Sequence, residues 1–159
     1  MDLHPQMLIR LVVAMMLGAL VGYERERDGK PAGVRTHGMV SLGAALFTVV
    51  SLYGFGPTAD PTRVAAMVVS GIGFLGAGAI LHQRESVHGL TTAASLWVTA
   101  AIGTAVGVGM IGMSVVTTLL IFLLLRFGPR PGKNRPKQEG EVSRPTRSEK
   151  AIEPKGKEI

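Results

Sequence analysis

Long apolar runs separated by short polar stretches organise the first 125 residues of the chain. Met7–Ile9 and Leu11–Tyr23 flank a single arginine, Gly38–Pro57 and Val64–Leu81 carry no charge, and Thr91–Leu125 continues uncharged for 35 residues. One helix built from those 35 residues would reach about 52 Å, against about 30 Å of bilayer hydrocarbon. The run must therefore turn, and Gly107-Val-Gly109-Met-Ile-Gly112 supplies the place. The pattern predicts five short spans, at about 7–23, 38–55, 63–82, 91–108 and 111–127. None has the polar face that a surface helix needs, and a chain of 159 residues cannot bury five such helices in a soluble core. The expected fold class is all-α, a multi-pass transmembrane helical bundle. Asp2 and the lack of an early Lys/Arg cluster argue against a cleaved leader over residues 1–23.

Charge adds orientation. Arg25, Arg27, Lys30 and Arg35 follow the first span and Arg84 the third, whereas the second loop has only Arg63, beside Asp60. An excess of Lys and Arg marks the cytoplasmic side, so the N-terminus is expected outside and the C-terminus in the cytoplasm. From Arg126 onward the chain holds ten of its seventeen Lys and Arg. Residues 128–159, rich in Pro, Gly, Lys, Arg and Glu, read as a disordered basic tail. Because the basic charge lies in that tail and not on a helix face among aromatics, no nucleic-acid partner is expected. The bilayer is the expected partner, with the tail on anionic lipid. The chain has no cysteine.

A shift of 56 residues aligns 10–54 with 66–110 without a gap, and nine of 45 positions are identical, Gly33/Gly89 and Thr36/Thr92 among them. Both pairs sit where a cytoplasmic loop enters the next span, which points to two parallel helical hairpins followed by a fifth helix.

Gly71, Gly73 and Gly76 spell a dinucleotide-binding fingerprint, yet no strand precedes them and no acidic residue follows about 20 positions on. Inside an apolar span, glycines instead let helices approach closely. Ala66, Ser70, Gly73 and Ala77 form one stripe of small residues, with Gly71, Gly76 and Gly78 in the same span. Gly18 and Gly22 in the first span and Gly103 and Gly107 in the fourth offer matching faces.

No ionisable residue lies near the middle of a span, which speaks against a carboxylate-coupled pump. Ser41, Thr48, Ser51, Ser70, Ser95, Thr99 and Thr104 either line a path or bond back to helix backbone. Charge collects at the cytoplasmic helix ends, with Glu24, Arg25, Asp28 and Lys30 after the first span and Arg35, Thr36 and His37 at the second. Charges at the interface pair, as Glu24 with Arg35 would, or snorkel to headgroups. The alternative is a polar functional site, with Glu24 and Asp28 on a magnesium ion or Arg25 and Arg35 on a phosphate. On the outer side, Asp60-Pro61-Thr62-Arg63 reads as a helix start capped by Asp60. Trp97 reads as packing. His4, His37, His82 and His88 stand singly, and no nucleophile elbow, zinc-ligand spacing or Walker sequence occurs. No catalytic residue is assigned, no cofactor beyond the magnesium interaction is expected, and the chain does not read as an enzyme.

Three stretches, "GYERERDGKPAGVRTHGMVSLGAALF", "DPTRVAAMVVSGIGFLGAGAIL" and "VHGLTTAASLWVTAAIGTAVG", resemble the signature segments of the MgtC/SapB family of bacterial inner-membrane proteins. The resemblance covers about residues 7–127 and implies a five-helix membrane domain with a cytoplasmic C-terminus. The matching positions are Glu24, Arg25, Lys30, Arg35, Thr36 and His37, then Asp60, Arg63 and the glycines of the third span, then Gly89, Thr91 and Thr92. Virulence-type members add a folded ACT-like domain, where this sequence has its short charged tail, so the resemblance does not extend to the roles of that domain. What it implies is a non-enzymatic regulator linked to magnesium limitation and to proton-motive or ATP synthase homeostasis, in contact with ATP synthase or another membrane complex. The competing expectation is a small cation transporter or channel assembled as a homo-oligomer.

Overall fold

The computed structural model describes residues 5–56, 58, 60–83 and 86–128. They form the expected all-α bundle of five helices: α1 (Pro5–Arg27), α2 (Val34–Tyr53), α3 (Thr62–Gly78), α4 (Leu90–Val108) and α5 (Ile111–Phe127). Apart from Gly128, the basic tail lies outside the described residues.

Helix ends differ from the apolar runs, for identifiable reasons. Glu and Arg are good helix formers, so α1 continues through Glu24-Arg25-Glu26-Arg27 and α2 begins by Val34. The polar stretch between them shrinks to residues 28–33, and Glu24, Arg25 and His37 become helical. In contrast, α3 stops at Gly78 instead of reaching 82. Residues Leu81–Gln83 (β1) and Ser86–His88 (β2) pair antiparallel, with Leu81 opposite His88. Near a bilayer, backbone groups outside a helix need partners, and this short ladder supplies them. The long apolar run breaks where glycine permits it. Gly109 adopts φ 104°, and its N–H bonds to the carbonyls of Ala105 and Val106, closing α4 with a left-handed cap.

Helices α1, α2 and α4 form the centre, α3 leans on α4, and α5 lies against α1 and α4. Glycines set the central crossings. A Cβ on Gly18 would fall 2.6 Å from the Ser41 Cβ, and one on Gly22 would fall 2.7 Å from the Val34 Cα. One on Gly107 would fall 2.7 Å from the Thr48 Cβ, and one on Gly103 would collide with the Ser41 carbonyl. Two apolar clusters fill the remaining contacts: Ala14, Ala45 and Val106 in one, and Ala32, Ala44, Ile72, Leu96 and Ala100 in the other. Helices α2 and α4 begin 56 residues apart, each directly after the glycine of the aligned pair.

The small-residue stripe of α3 meets no other helix among the described residues. Ala66, Ser70, Gly73 and Ala77 are exposed, and a Cβ on Gly71, Gly73 or Gly78 would touch nothing within 4 Å. The packed face of α3 is that of Ile72 and Gly76, with Gly76 against Ala93 at 3.6 Å from its would-be Cβ.

Polarity is distributed inside out. The largest buried side chains include His37, Glu24, Thr99 and Thr118, while Met67, Phe74, Leu120, Leu124 and Phe127 face outward, Phe74 being 83% exposed. Such a surface belongs in lipid, and the protein is a membrane protein. Helices α1, α2 and α4 are long and apolar enough to cross; α3 and α5, at 17 residues each, sit at the lower limit of spanning length.

Candidate functional site

Successive residues on a helix point about 100° apart, so Glu24 and Arg25 at the end of α1 address different neighbours. Arg25, 4% exposed, donates from Nη2 to the Thr92 Oγ1 of α4 at 2.8 Å. One turn along α4 from Thr92, Ser95 donates its hydroxyl to the Thr92 carbonyl at 2.8 Å. The His37 ring of α2, fully buried, lies with Nε2 3.1 Å from the Ser95 Oγ and Nδ1 3.1 Å from the Gly33 carbonyl. With its own proton directed at Thr92, the Ser95 oxygen offers lone pairs to the ring. Glu24, 1% exposed, turns to α5, where its Oε1 meets the Arg126 Nη1 at 3.4 Å. One end of the bundle thus holds a buried polar cluster built from α1, α2, α4 and α5. Three buried atoms in or near it have no hydrogen-bond partner among the described residues: Glu24 Oε2, Arg25 Nε and Ser41 Oγ.

Several expected site residues stand apart from this cluster. Glu24 pairs with Arg126 and not with Arg35, because Arg35 is exposed on the first turn of α2. Arg35, Lys30 and Thr36 instead border a surface pocket of about 540 Å³ together with Glu26, Pro31, Gly33 and Val34. There the Glu26 Oε2 accepts the Val34 N–H at 2.9 Å, satisfying a free donor at the start of α2. Asp28 interacts electrostatically with Arg25. Among the described residues no group of three His, Asp or Glu side chains converges as a metal site. Magnesium takes one or two carboxylates within an octahedral shell of oxygens. Among the described residues Glu24 is the buried carboxylate, and it is matched to the Arg126 guanidinium.

The opposite end is tied differently. Arg10 donates from Nη1 to the Gly107 carbonyl at 3.0 Å and to the Tyr53 hydroxyl at 3.2 Å, placing a cation at the C-terminus of α4, where the helix dipole favours it. Asp60 accepts the Thr62 N–H at 2.9 Å and the Thr62 hydroxyl at 2.6 Å. These bonds, helped by Arg63, hold its carboxyl below the usual carboxylate range. Back at the end of the polar cluster, Thr91 is exposed, and Gly89 precedes α4 with φ 90°, where a Cβ would collide with the Ala79 carbonyl.

Between the two ends, four threonine hydroxyls bond back to their own helices. Thr48 donates to Ala44 O at 2.7 Å, Thr99 to Ser95 O at 2.8 Å, Thr104 to Ala100 O at 3.0 Å and Thr118 to Ser114 O at 2.8 Å. Sequence reasoning missed Arg126 as a partner of Glu24 and Arg10 as a clasp at the other end of the bundle. Each is a lone arginine beside a long apolar stretch, and that isolation was the available signal. Ser95 had a signal too, since it lies three residues after Thr92 and so on the same helical face.

The sequence profile of the MgtC family matches residues 11–132. The chain belongs to the MgtC family. Every residue of the polar cluster, from Glu24 to Arg126, falls inside the MgtC match. "Putative magnesium transporter YhiD" of Escherichia coli (strain K12) is 44% identical over 127 residues, which is 76% of this chain and 59% of that protein. "Protein MgtC" of Brucella abortus (strain 2308) is 49% identical over 111 residues, 70% of this chain and 46% of that one. An uncharacterized protein of Haemophilus influenzae is 41% identical over 129 residues, 76% of this chain and 54% of the other. The MgtC-family chain thus spans about half the length of the curated relatives it matches. No solved structure matches it.

Proposed function

We propose that this MgtC-family protein is a non-enzymatic regulator in the bacterial inner membrane, acting in magnesium limitation through contacts with other membrane proteins. The observation that carries this reading is how its polar interior is used. The hydroxyls of Thr48, Thr99 and Thr118 are spent on carbonyls of their own helices, and Glu24 and Arg25 reach across to neighbouring helices, while small and large apolar residues of α3 face outward without a partner among the described residues. A surface of that kind suits association in lipid, where close approach of helices replaces the hydrophobic effect. Effects on proton-motive force or on ATP synthase would follow from such contacts. The polar cluster faces the cytoplasm in this reading, since Arg25, Arg27, Lys30 and Arg35 gather at its end.

A second reading, a small oligomeric transporter or channel for magnesium or another cation, draws on the name of the Escherichia coli relative and on the Glu24 Oε2, which has no partner among the described residues. A deletion strain grown across a magnesium series, with ATP level and membrane potential recorded, separates the two when joined to flux measurements. The regulator predicts altered ATP or potential at low magnesium and no flux of magnesium, potassium or protons in liposomes holding purified protein. Flux that saturates with magnesium would replace it by the transporter.

A further inference from the structure

We propose that the groove between α2 and α3 is a binding site for one anionic phospholipid, with an acyl chain along the groove and the phosphate at Lys30 and Arg35. Because α3 leans on α4 and barely meets α2, the two helices leave an open channel of about 690 Å³ between them. Its walls include Gly43 and Phe47 of α2 and Met67, Gly71 and Leu75 of α3, and every lining residue except Thr36 is apolar. From Thr36 to Phe47 the groove runs eleven residues along α2, about 16 Å. That is about the depth of one leaflet of a 30 Å hydrocarbon core.

The groove does not end blindly. Thr36 lines both the apolar channel and the 540 Å³ pocket that contains Lys30 and Arg35. Both basic side chains are exposed, and neither has an ion-pair or hydrogen-bond partner among the described residues. The acid in the same pocket, Glu26, is engaged by the Val34 N–H. An apolar slot one leaflet deep, opening into two free cations and a helix N-terminus, complements a phosphodiester headgroup joined to a fatty chain. Basic pockets between transmembrane helices on the cytoplasmic side recognise anionic headgroups in this way. A neighbouring helix would need an acidic end at the same height to satisfy Lys30 and Arg35. The lipid brings that charge itself.

Glycines on both walls make the test direct. A Cβ on Gly43 or on Gly71 would meet nothing within 4 Å, so leucines there fill the groove without pressing on the bundle. The full chain is purified from nanodiscs of phosphatidylglycerol and phosphatidylethanolamine, and retained lipid is counted by native mass spectrometry. The wild type is expected to keep one phosphatidylglycerol in preference to phosphatidylethanolamine. Lys30→Gln with Arg35→Gln is expected to weaken that retention about 30-fold, as for two basic side chains lost beside an anionic group. Gly43→Leu with Gly71→Leu is expected to abolish retention of either lipid at a melting temperature no lower than that of the wild type. The glutamine variant changes only exposed side chains, so it carries the test even where the leucine variant unfolds. Equal retention of the two lipids by the wild type overturns the proposal, as does undiminished phosphatidylglycerol in the glutamine variant. Displacement by inorganic phosphate at similar concentration overturns it in favour of a soluble anion. The chain lacks cysteine, so a disulfide formed between two Gly43→Cys chains in membranes would assign the groove to a second copy and overturn it as well.

Discussion

Thr92 joins two side chains that no single helix could bring together. Its hydroxyl accepts from Arg25 of α1, and its carbonyl accepts from Ser95, which in turn meets His37 of α2. Thr92→Val keeps the shape and removes the acceptor, leaving a buried guanidinium short of a partner. The expected loss is about 1–2 kcal/mol, between the value for bonds to charged groups and the smaller mean for interhelical bonds in lipid. Titrated unfolding in mixed micelles reads it, and Thr92→Ser should restore most of the stability. Equal stability of the valine and serine variants would show that the bridge contributes nothing. Arg25, His37 and Thr92 were legible in the sequence as interface residues. Their mutual contacts were not, because they are set by the helix crossing and not by local spacing. Glu24 shows the same limit: the sequence suggests Arg35 as its partner, whereas Arg126 lies 102 positions away.

Among helices, small residues divide into two kinds that the sequence does not distinguish. Gly18, Gly22, Gly103 and Gly107 stand at crossings with almost no room, whereas Gly71, Gly73 and Gly78 face open space. Spacing identifies a face able to approach another helix, but in lipid no difference in hydrophobicity tells the inner face from the outer. For that reason the stripe on α3 read as packing and proved to be exposed. Gly103→Ala should cost about 1–3 kcal/mol, since its methyl group must displace the backbone of α2 at Ser41. Gly73→Ala should stabilise by about 0.5–1 kcal/mol through helix entropy alone. Unfolding of the two variants side by side checks both signs. Similar losses in each would mean that α3 packs against something in the membrane.

For the whole molecule, the five apolar segments were legible as helices because an all-round apolar run admits few other structures in a membrane. The strand pair formed by 81–83 and 86–88 was not, since nothing in those few residues forces a strand. The proposed orientation has a direct readout in a protein without cysteine. Lys30→Cys should react with an impermeant maleimide only after the membrane is opened, and Thr58→Cys should react in intact cells. The reverse pattern would turn the molecule over.

Two of the arginines of α1 also act as a gauge. Arg10 and Arg25 lie fifteen residues apart, and so do Gly107 and Thr92, the groups they grip on α4. Over about 22 Å the two helices are therefore fastened at matching intervals. A slide of either one along the other would strain both fastenings at once, which makes α1 and α4 a single strut. Relative motion within the bundle then falls to α3, which leans on one side of that strut, and to α5, fastened near its C-terminal end through Arg126 and Glu24.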